Sequence, residues 1–430
     1  MRKQKILRAA MVGIGLAAAT ALLAGCSGGG SSTTSTGPVT LTFQSLAFQD
    51  TTVAATKKIV ADWNKSHPKI TVKLRQGSWD NVHDQLVTQF QGGTAPDIIH
   101  DEAADIQGFA NQGYLADLSK YLSPSVKSAV SKDVWKTVTS QDGKIVAAPT
   151  LLQSYVVFAN TKAFKDAGVT VPTGSQLSWA DFQSIAKQLT ANGKYGVGMG
   201  ESQPTAGVLS LSLGFGGTYF TNKGSTSKIH VGDNELQVPQ TIHAMAFTDK
   251  SIDPVSLTQS ASDVLPGFFG GKYAMYVAGN YVAQQLTQTA PKGFTWAVLP
   301  PLAGSAGTEQ AADPQTMSVS AQSKHIPQAA AFINYFMNAS NQAALGEGDW
   351  LIPASAPARA QIAKDTAGKN GWTAILKSGE NLTAAPFQAA ANYPQWNTQI
   401  ATPAFQKYFA NSISVAQLKQ QLTSGWNSLG

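Results

Sequence analysis

Between Val39 and Gly113 the hydrophobic period of the chain switches repeatedly, and this alternation limits the possible folds more than any other feature. Val39, Leu41 and Phe43 recur at every second residue, the spacing of a strand with one buried face. Val53, Thr56, Val60 and Trp63 then recur at helical spacing, with Asp50 placed to cap that helix and Pro68 to stop it. Ile70, Val72 and Leu74 alternate again, and Val82, Leu86 and Phe90 mark a second helix ending at Gly92 and Gly93. Pro96 to Ile99 reads as a short buried strand, followed by a further helix ending near Gly113. Strand, helix, strand, helix, strand is the signature of an α/β fold with a parallel sheet and crossover helices. Open sheets of this kind bind ligands beyond the carboxyl ends of their strands, so half of a site is expected in loops 44–49, 75–80 and 100–105.

The same grammar restarts further on. "YVVFAN" (155–160) is a strand, Ser178 and Asp181 frame a capping pair for a helix whose inner face is Phe182, Ile185 and Leu189, and "YGVGM" (195–199) is another strand. The Pro-containing stretch "DGKIVAAPTLLQ" (142–153) lies between the two units as an extended crossing, so the second unit reads as a separate lobe. Later, "GFFGGKYAMYVAGNYVAQQL" reads as helix end, Gly turn, buried strand and new helix; "TMSVS" is a strand, Pro327 opens a helix, and the last quarter is mostly helical.

The 430-residue chain contains one cysteine, Cys26, which therefore closes no intramolecular disulfide. Arg2, Lys3, Lys5 and Arg8 precede an apolar run, Ala9 to Ala24, that is too short to span a bilayer, which is the build of an export signal. Leu23-Ala24-Gly25-Cys26 resembles a bacterial lipobox, implying cleavage before Cys26 and a diacylglyceryl group on its thiol. The stretch from Ser27 to Pro38 reads as a flexible Gly/Ser/Thr tether. The formal charge of +6 falls to +2 without the four basic residues of the signal, too little to argue for nucleic acid. "AGSAG" (303–307) is an incomplete nucleophile motif, the six histidines lack metal-site spacing, and "GFGG" (214–217) completes no dinucleotide fingerprint. No catalytic residue, metal or cofactor is expected. Asp101 and Glu102 could be a glycosidase pair, but neighbours on a strand point to opposite faces.

The segment "IVADWNKSHPKITVKLRQGSWDNVHDQLVTQFQGGTAPDIIHDEAADIQGFANQGYLADLSKYL" resembles the first lobe of the extracellular solute-binding proteins of ABC importers, in the sugar-binding family that includes maltose-binding protein. Similar pieces continue in family order through "FANTKAFKDAGV", "LSWADFQSIAKQL", "FFGGKYAMYVAGNY", "AVLPPL" and "QSKHIPQAAAFINYFMNASNQ". The resemblance implies a two-lobed periplasmic-binding-protein-like fold, each lobe a mostly parallel sheet flanked by helices, with the ligand in the interlobe cleft. The first lobe would comprise 39–149 and 314–340, the second 150–313 and 341–430, with crossings near 148–151, 311–316 and 338–344. It implies ligand contacts at Gln44 and Ser45, Trp79, Asp101, Glu102 and Asp105, Gln153 and Tyr155, Tyr281, Asp313 and Trp350; Trp63, Trp179 and Trp296 read as core. The implied protein is a monomeric carbohydrate receptor, tied by Cys26 to the outer face of the cytoplasmic membrane, that delivers its sugar to ABC permease subunits.

Overall fold

A computed structural model describes residues 37–223, 226–390 and 392–429. The first 36 residues, with the signal and Cys26, lie outside the described part of the chain. Among the described residues no helix is long and apolar enough to cross a membrane.

The opening alternation forms as read. Strand β1 (Val39–Ser45), helix α1 (Asp50–Ser66), strand β2 (Ile70–Gln76), helix α2 (Val82–Gln91), strand β3 (Ile98–Glu102) and helix α3 (Ala103–Asn111) follow in order. β1 lies between β2 and β3 and is parallel to both, with Phe43 opposite Leu74 on one side and Ile98 on the other. Gln49, rather than Asp50, takes the cap position of α1, and Asp50 sits in the first turn, where its charge suits the helix dipole. α1 buries Thr52, Thr56, Ile59, Val60 and Trp63, leaving Val53 at the margin of the face.

Antiparallel strands complete this sheet. Strand β4 (Ala147–Leu152) and the strand Pro314–Val319 give the order Ile352–Pro353, β4, Pro314–Val319, β3, β1, β2. The expectation of mostly parallel sheets thus holds for the β2-β1-β3 part, and the returning chain adds antiparallel edges. Strand β5 (Tyr155–Asn160) begins the second sheet, of order Trp296–Val298, β5, Tyr273–Gly279, Tyr195–Met199, where only the last pairing is parallel. The predicted capping pair forms: Ser178 Oγ accepts from Asp181 N at 3.0 Å and donates to its carboxylate at 2.6 Å.

The chain passes between the two sheets first at Gln153 and Ser154, beyond the 148–151 that β4 keeps in the first sheet, and a second time between Ala311 and Pro314. The third lies later than 338–344, because the helix Ala339–Asp349 packs on α1 and Ile352 pairs with Leu152 of β4. The chain leaves the first sheet only after Pro353 and rejoins the other lobe by Leu382, which pairs with Gln310. Residues 341–353 therefore lie with the first sheet, where Thr51 Oγ1 donates to the Gly348 carbonyl at 2.7 Å and Thr52 Oγ1 to Asp349 Oδ1 at 2.9 Å.

Helices cover both faces of the first sheet. On one, Phe43 packs against Phe332 and Phe336 with ring centroids 5.8 and 5.9 Å apart, and Trp63 meets Phe332 edge-on at 5.4 Å. Leu86, Phe90, Ile106 and Phe109 fill the other, against Ile99. Phe43 is 1% exposed, so Phe43→Ala removes a buried ring at the centre of this packing. It should cost about 3–5 kcal/mol, read as a lower urea midpoint of the first lobe; a midpoint unchanged within error contradicts this account of the core.

Candidate functional site

At the carboxyl end of β3 the chain places Asp101 and Glu102 on opposite sides of the strand, and the antiparallel neighbour sets their surroundings. Thr316 pairs with Asp101 and Gln315 with Glu102, which brings Asp313 alongside. Asp313 Oδ1 accepts from the Ala104 backbone at the start of α3, at 3.2 Å. β4 ends beside the same strand, so Gln153 and Tyr155 emerge at this end too.

A cavity of about 450 Å³ opens there, lined from the first lobe by Phe48, Gln49, Trp79, Glu102, Gln315 and Asp349, and from the second by Tyr155, Ser210, Tyr281, Phe387 and Tyr393; Gln153 and Asp313, on the crossings, also reach it. A second cavity of about 700 Å³ shares Trp79, Glu102 and Tyr393 with the first and continues past Asp101, Asp105 and His83 to Gln395 and Thr398. Of the residues expected at a ligand, Trp79, Asp101, Glu102, Asp105, Gln153, Tyr155, Tyr281 and Asp313 are thus brought together.

Three expected residues line neither cavity. Gln44 and Ser45 are buried because the end of β1 is covered on both faces; the loop beyond them reaches the cleft instead, through Phe48 and Gln49. Trp350 is 8% exposed and stacks on Trp372, centroids 4.9 Å apart and planes 18° from parallel, so its ring is part of the apolar layer beneath the crossings.

Several residues that carry no chemical signal in sequence hold the site in shape. Gln310, 2% exposed, bonds both backbone groups of Tyr155, accepting from its N–H at 2.7 Å and donating to its carbonyl at 2.9 Å. Gly279 lies opposite Tyr155 in the second sheet, and a Cβ there would land on the Tyr281 ring and within 3.2 Å of the Gln153 amide carbon. His100 is buried, and its Nδ1 accepts from the Leu46 N–H at 3.1 Å. Its proton is therefore on Nε2, which donates to Gln315 Oε1 at 3.0 Å and fixes the orientation of the Gln315 amide. Burial lowers His100 to about 4, keeping it neutral.

The carboxyl groups interact strongly. Asp101 is fully buried; its Oδ1 accepts from the Glu102 N–H at 2.9 Å, while Oδ2 has no hydrogen-bond partner. Burial, then the carboxylates of Asp105 and Glu102, push Asp101 well above the usual carboxylate range. Glu102 is open to the cleft, and the protein crowding it, followed by Asp313 and Asp105, raises it to about 8. Burial raises Asp313 to about 6, with the Ala104 and Gln388 hydrogen bonds opposing. His83 Nδ1 meets Asp105 Oδ1 at 2.5 Å, and that bond raises the histidine. Glu201, just past the strand Tyr195–Met199 and 6% exposed, is raised to about 8 by burial. At neutral pH Glu102 accordingly offers an O–H donor as well as acceptors.

These shifts fix the sign of a pH dependence. The folded protein keeps protons on Glu102 and Glu201 that the unfolded chain releases above about 4.5, so stability falls as pH rises toward about 8. His83, raised, acts in the same direction, whereas His100 opposes it only below its ordinary 6.5. Melting temperature should therefore drop by a few degrees between pH 6.5 and 8, and Glu102→Gln with Glu201→Gln should flatten the slope. A melting temperature that rises across this window contradicts the protonated cleft.

Comparison with known proteins fits this architecture. Residues 49–343 match the family described as bacterial extracellular solute-binding protein. An uncharacterised lipoprotein from the oleD 5' region of Streptomyces antibioticus is 41% identical over 412 residues, 94% of this chain and 90% of its own length. A maltooligosaccharide ABC transporter solute-binding lipoprotein of Streptococcus pneumoniae is 24% identical over 77% of both chains. Among solved structures, the GacH receptor of Streptomyces glaucescens, determined unliganded and with acarbose, superposes with a TM-score of 0.75 at 21% identity, covering 91% of this chain and 98% of that one. Two lobes of mixed sheet, a cleft at the strand ends and a family match over most of the described chain agree: the chain belongs to the bacterial extracellular solute-binding protein family.

Proposed function

We propose that this protein is a carbohydrate receptor, exported and held by a lipidated Cys26, that closes its lobes on a mono- or oligosaccharide and presents it to an ABC permease. The observation that carries this reading is the composition of the cleft, in which aromatic rings from both lobes converge with carboxyl and amide groups. Trp79 projects from the first lobe and Tyr155, Tyr281 and Tyr393 from the second. Flat rings pack on the C–H faces of a sugar with defined geometry, and Glu102, Asp313, Gln153 and Gln315 supply directional partners for its hydroxyls. Contacts drawn from both lobes favour the closed form, because a ligand shifts an equilibrium by the difference in its affinity for the two states. The relatives named for maltooligosaccharide and acarbose support a saccharide as the solute. A dissociation constant near 1 μM, about −8.2 kcal/mol, suits a receptor that must also release.

Calorimetry on protein lacking residues 1–26, against neutral mono- and oligosaccharides, should give saturable heat with at least one of them. Tyr281→Ala and Trp79→Ala should each weaken that binding roughly tenfold or more, with little change in melting temperature, since each removes a partly exposed cleft ring worth about 1.5 kcal/mol or more. Absence of heat and of thermal shift across the panel would falsify the carbohydrate assignment.

Attachment is tested separately. In a bacterial host the full chain should fractionate with membranes, and Cys26→Ser should release it or leave only the uncleaved precursor. A mature, cleaved Cys26→Ser protein that stays on the membrane disproves the lipid anchor. Two acyl chains on one cysteine are enough for stable attachment, and tethering keeps the receptor at high effective concentration beside its permease.

A further inference from the structure

Tyr393 stands where the two cavities meet, and it lines both. It opens the short helix Tyr393–Trp396, which is anchored by fully buried Trp396, whose Nε1 donates to the Leu422 carbonyl at 3.0 Å. The Tyr393 ring packs on Phe387, centroids 5.0 Å apart, with Trp396 at 6.2 Å, and only 4% of the residue is exposed. A ring this enclosed is fixed before any solute arrives, and it has little face to offer, unlike the partly exposed rings of Tyr155 and Tyr281. Its hydroxyl differs from the ring: among the described residues nothing hydrogen-bonds it, and the oxygen is not closed off from the cleft. Three other enclosed tyrosines show the usual arrangement. Tyr219 donates to the Glu235 carbonyl at 2.5 Å, Tyr276 to the Ala261 carbonyl at 2.6 Å and Tyr273 to Asp253 Oδ2 at 2.8 Å.

We infer that Tyr393 is a specificity-determining residue that acts through its hydroxyl, the phenol O–H donating to one hydroxyl oxygen of the bound carbohydrate at the junction of the two cavities. This rests on the carbohydrate reading above and names a residue that reads a single position of the sugar. Burial, then the carboxyls of Asp313 and Glu102, push the Tyr393 phenol well above its ordinary range, so its proton stays on the oxygen and the group is a donor at neutral pH. Donors of fixed direction are scarce at this place. No lysine or arginine occurs among the described residues lining either cavity, and His83 is already bonded to Asp105. A sugar hydroxyl both accepts and donates, so a phenol donor close to carboxyl acceptors meets both halves of its bonding. A site built to bond one hydroxyl also rejects the analogue that lacks it, because the protein group is then left without its partner.

The test pairs Tyr393→Phe, which keeps the ring and removes the donor, with sugars that each lack one hydroxyl, on protein lacking residues 1–26. Glucose, galactose, maltose and cellobiose are the probes, each with its monodeoxy derivatives, and binding is read by calorimetry. Because the hydroxyl bonds nothing among the described residues, its removal should leave the melting temperature unchanged or raised. The variant should bind the tightest of the four parent sugars about tenfold more weakly. One monodeoxy derivative of that sugar should bind both proteins equally, since the two deletions remove the same bond. Parent binding unchanged by Tyr393→Phe overturns the inference and leaves the carbohydrate receptor standing. A loss of the same size for the parent and for every derivative marks a structural role for the residue and likewise overturns it. Saturable heat from none of the sugars overturns the inference together with the carbohydrate reading.

Discussion

The cleft depends on one buried amide. Asn280 is fully buried, and its Oδ1 accepts from the Ser154 N–H at 2.8 Å while its Nδ2 donates to the Trp350 carbonyl at 2.6 Å. Its own N–H donates to the Ser154 carbonyl at 2.9 Å. One side chain thereby ties the first crossing, the segment carrying Tyr281, and the turn that leads into Ile352. Each bond, if lost, leaves a buried polar group worth about 1–3 kcal/mol, and a carboxylate could not replace the amide because it offers no donor. Trp350 is held with φ of 55°, a left-handed conformation uncommon for a bulky residue, and its stack on Trp372 together with the Asn280 bond stabilises it there. Tyr281 follows Asn280 directly, so the aromatic wall of the cleft inherits its position from this junction.

The crossings are tied down where they enter the lobes. Gln310 clamps Tyr155, Gln388 donates to the Ala312 carbonyl at 2.7 Å, and Ser154 Oγ lies 2.6 Å from Ser378 Oγ. These bonds fix where each segment enters its lobe, while the lobes themselves have separate sheets. Hinge closure needs this arrangement, in which a few residues at element ends absorb the rotation and rigid bodies carry the ligand groups.

Much of the fold was legible because periodicity reports burial directly. β1 to α3 appear in order, with the buried face of α2 the one read from spacing. The cavity lining was legible where it follows from topology, in the loops beyond parallel strands, where Trp79, Glu102 and Asp105 lie. It was not legible where it depends on pairing between distant antiparallel strands: nothing in the sequence says that Gln315 stands beside Glu102. Trp350 looked like a ligand platform and is core, because an aromatic beside a crossing has the same pattern in either role. Gln310, Asn280 and Gly279 act through geometry alone, and an amide or a glycine carries no mark of that use. Nothing in the spacing of the helix Ala339–Asp349 says that it packs on α1, because the contact runs through polar groups: Thr51 and Thr52 donate to the Gly348 carbonyl and to Asp349.

The carboxyl channel has no account in stability alone. Burial strips solvation from Asp101 and Asp349, the surrounding protein removes part of it from the more open Glu102 and Asp313, and their mutual repulsion adds to the cost, so apolar residues of similar volume would give a more stable lobe. Among the described residues none of them is paired with a cation, which is how a purely structural buried acid is usually accommodated. Asp349 is the instructive contrast: Thr52 donates to its Oδ1 at 2.9 Å, and hydrogen bonds from Thr52, Gln315 and Gln49 offset part of its burial. Asp101 Oδ2 lacks such support. The cleft acids are thus not equivalent: Asp349 is held by donors from other side chains, while Asp101 Oδ2, closed off from solvent, has only the neighbouring Asp105 carboxyl, and a proton shared between the two accounts for its raised titration.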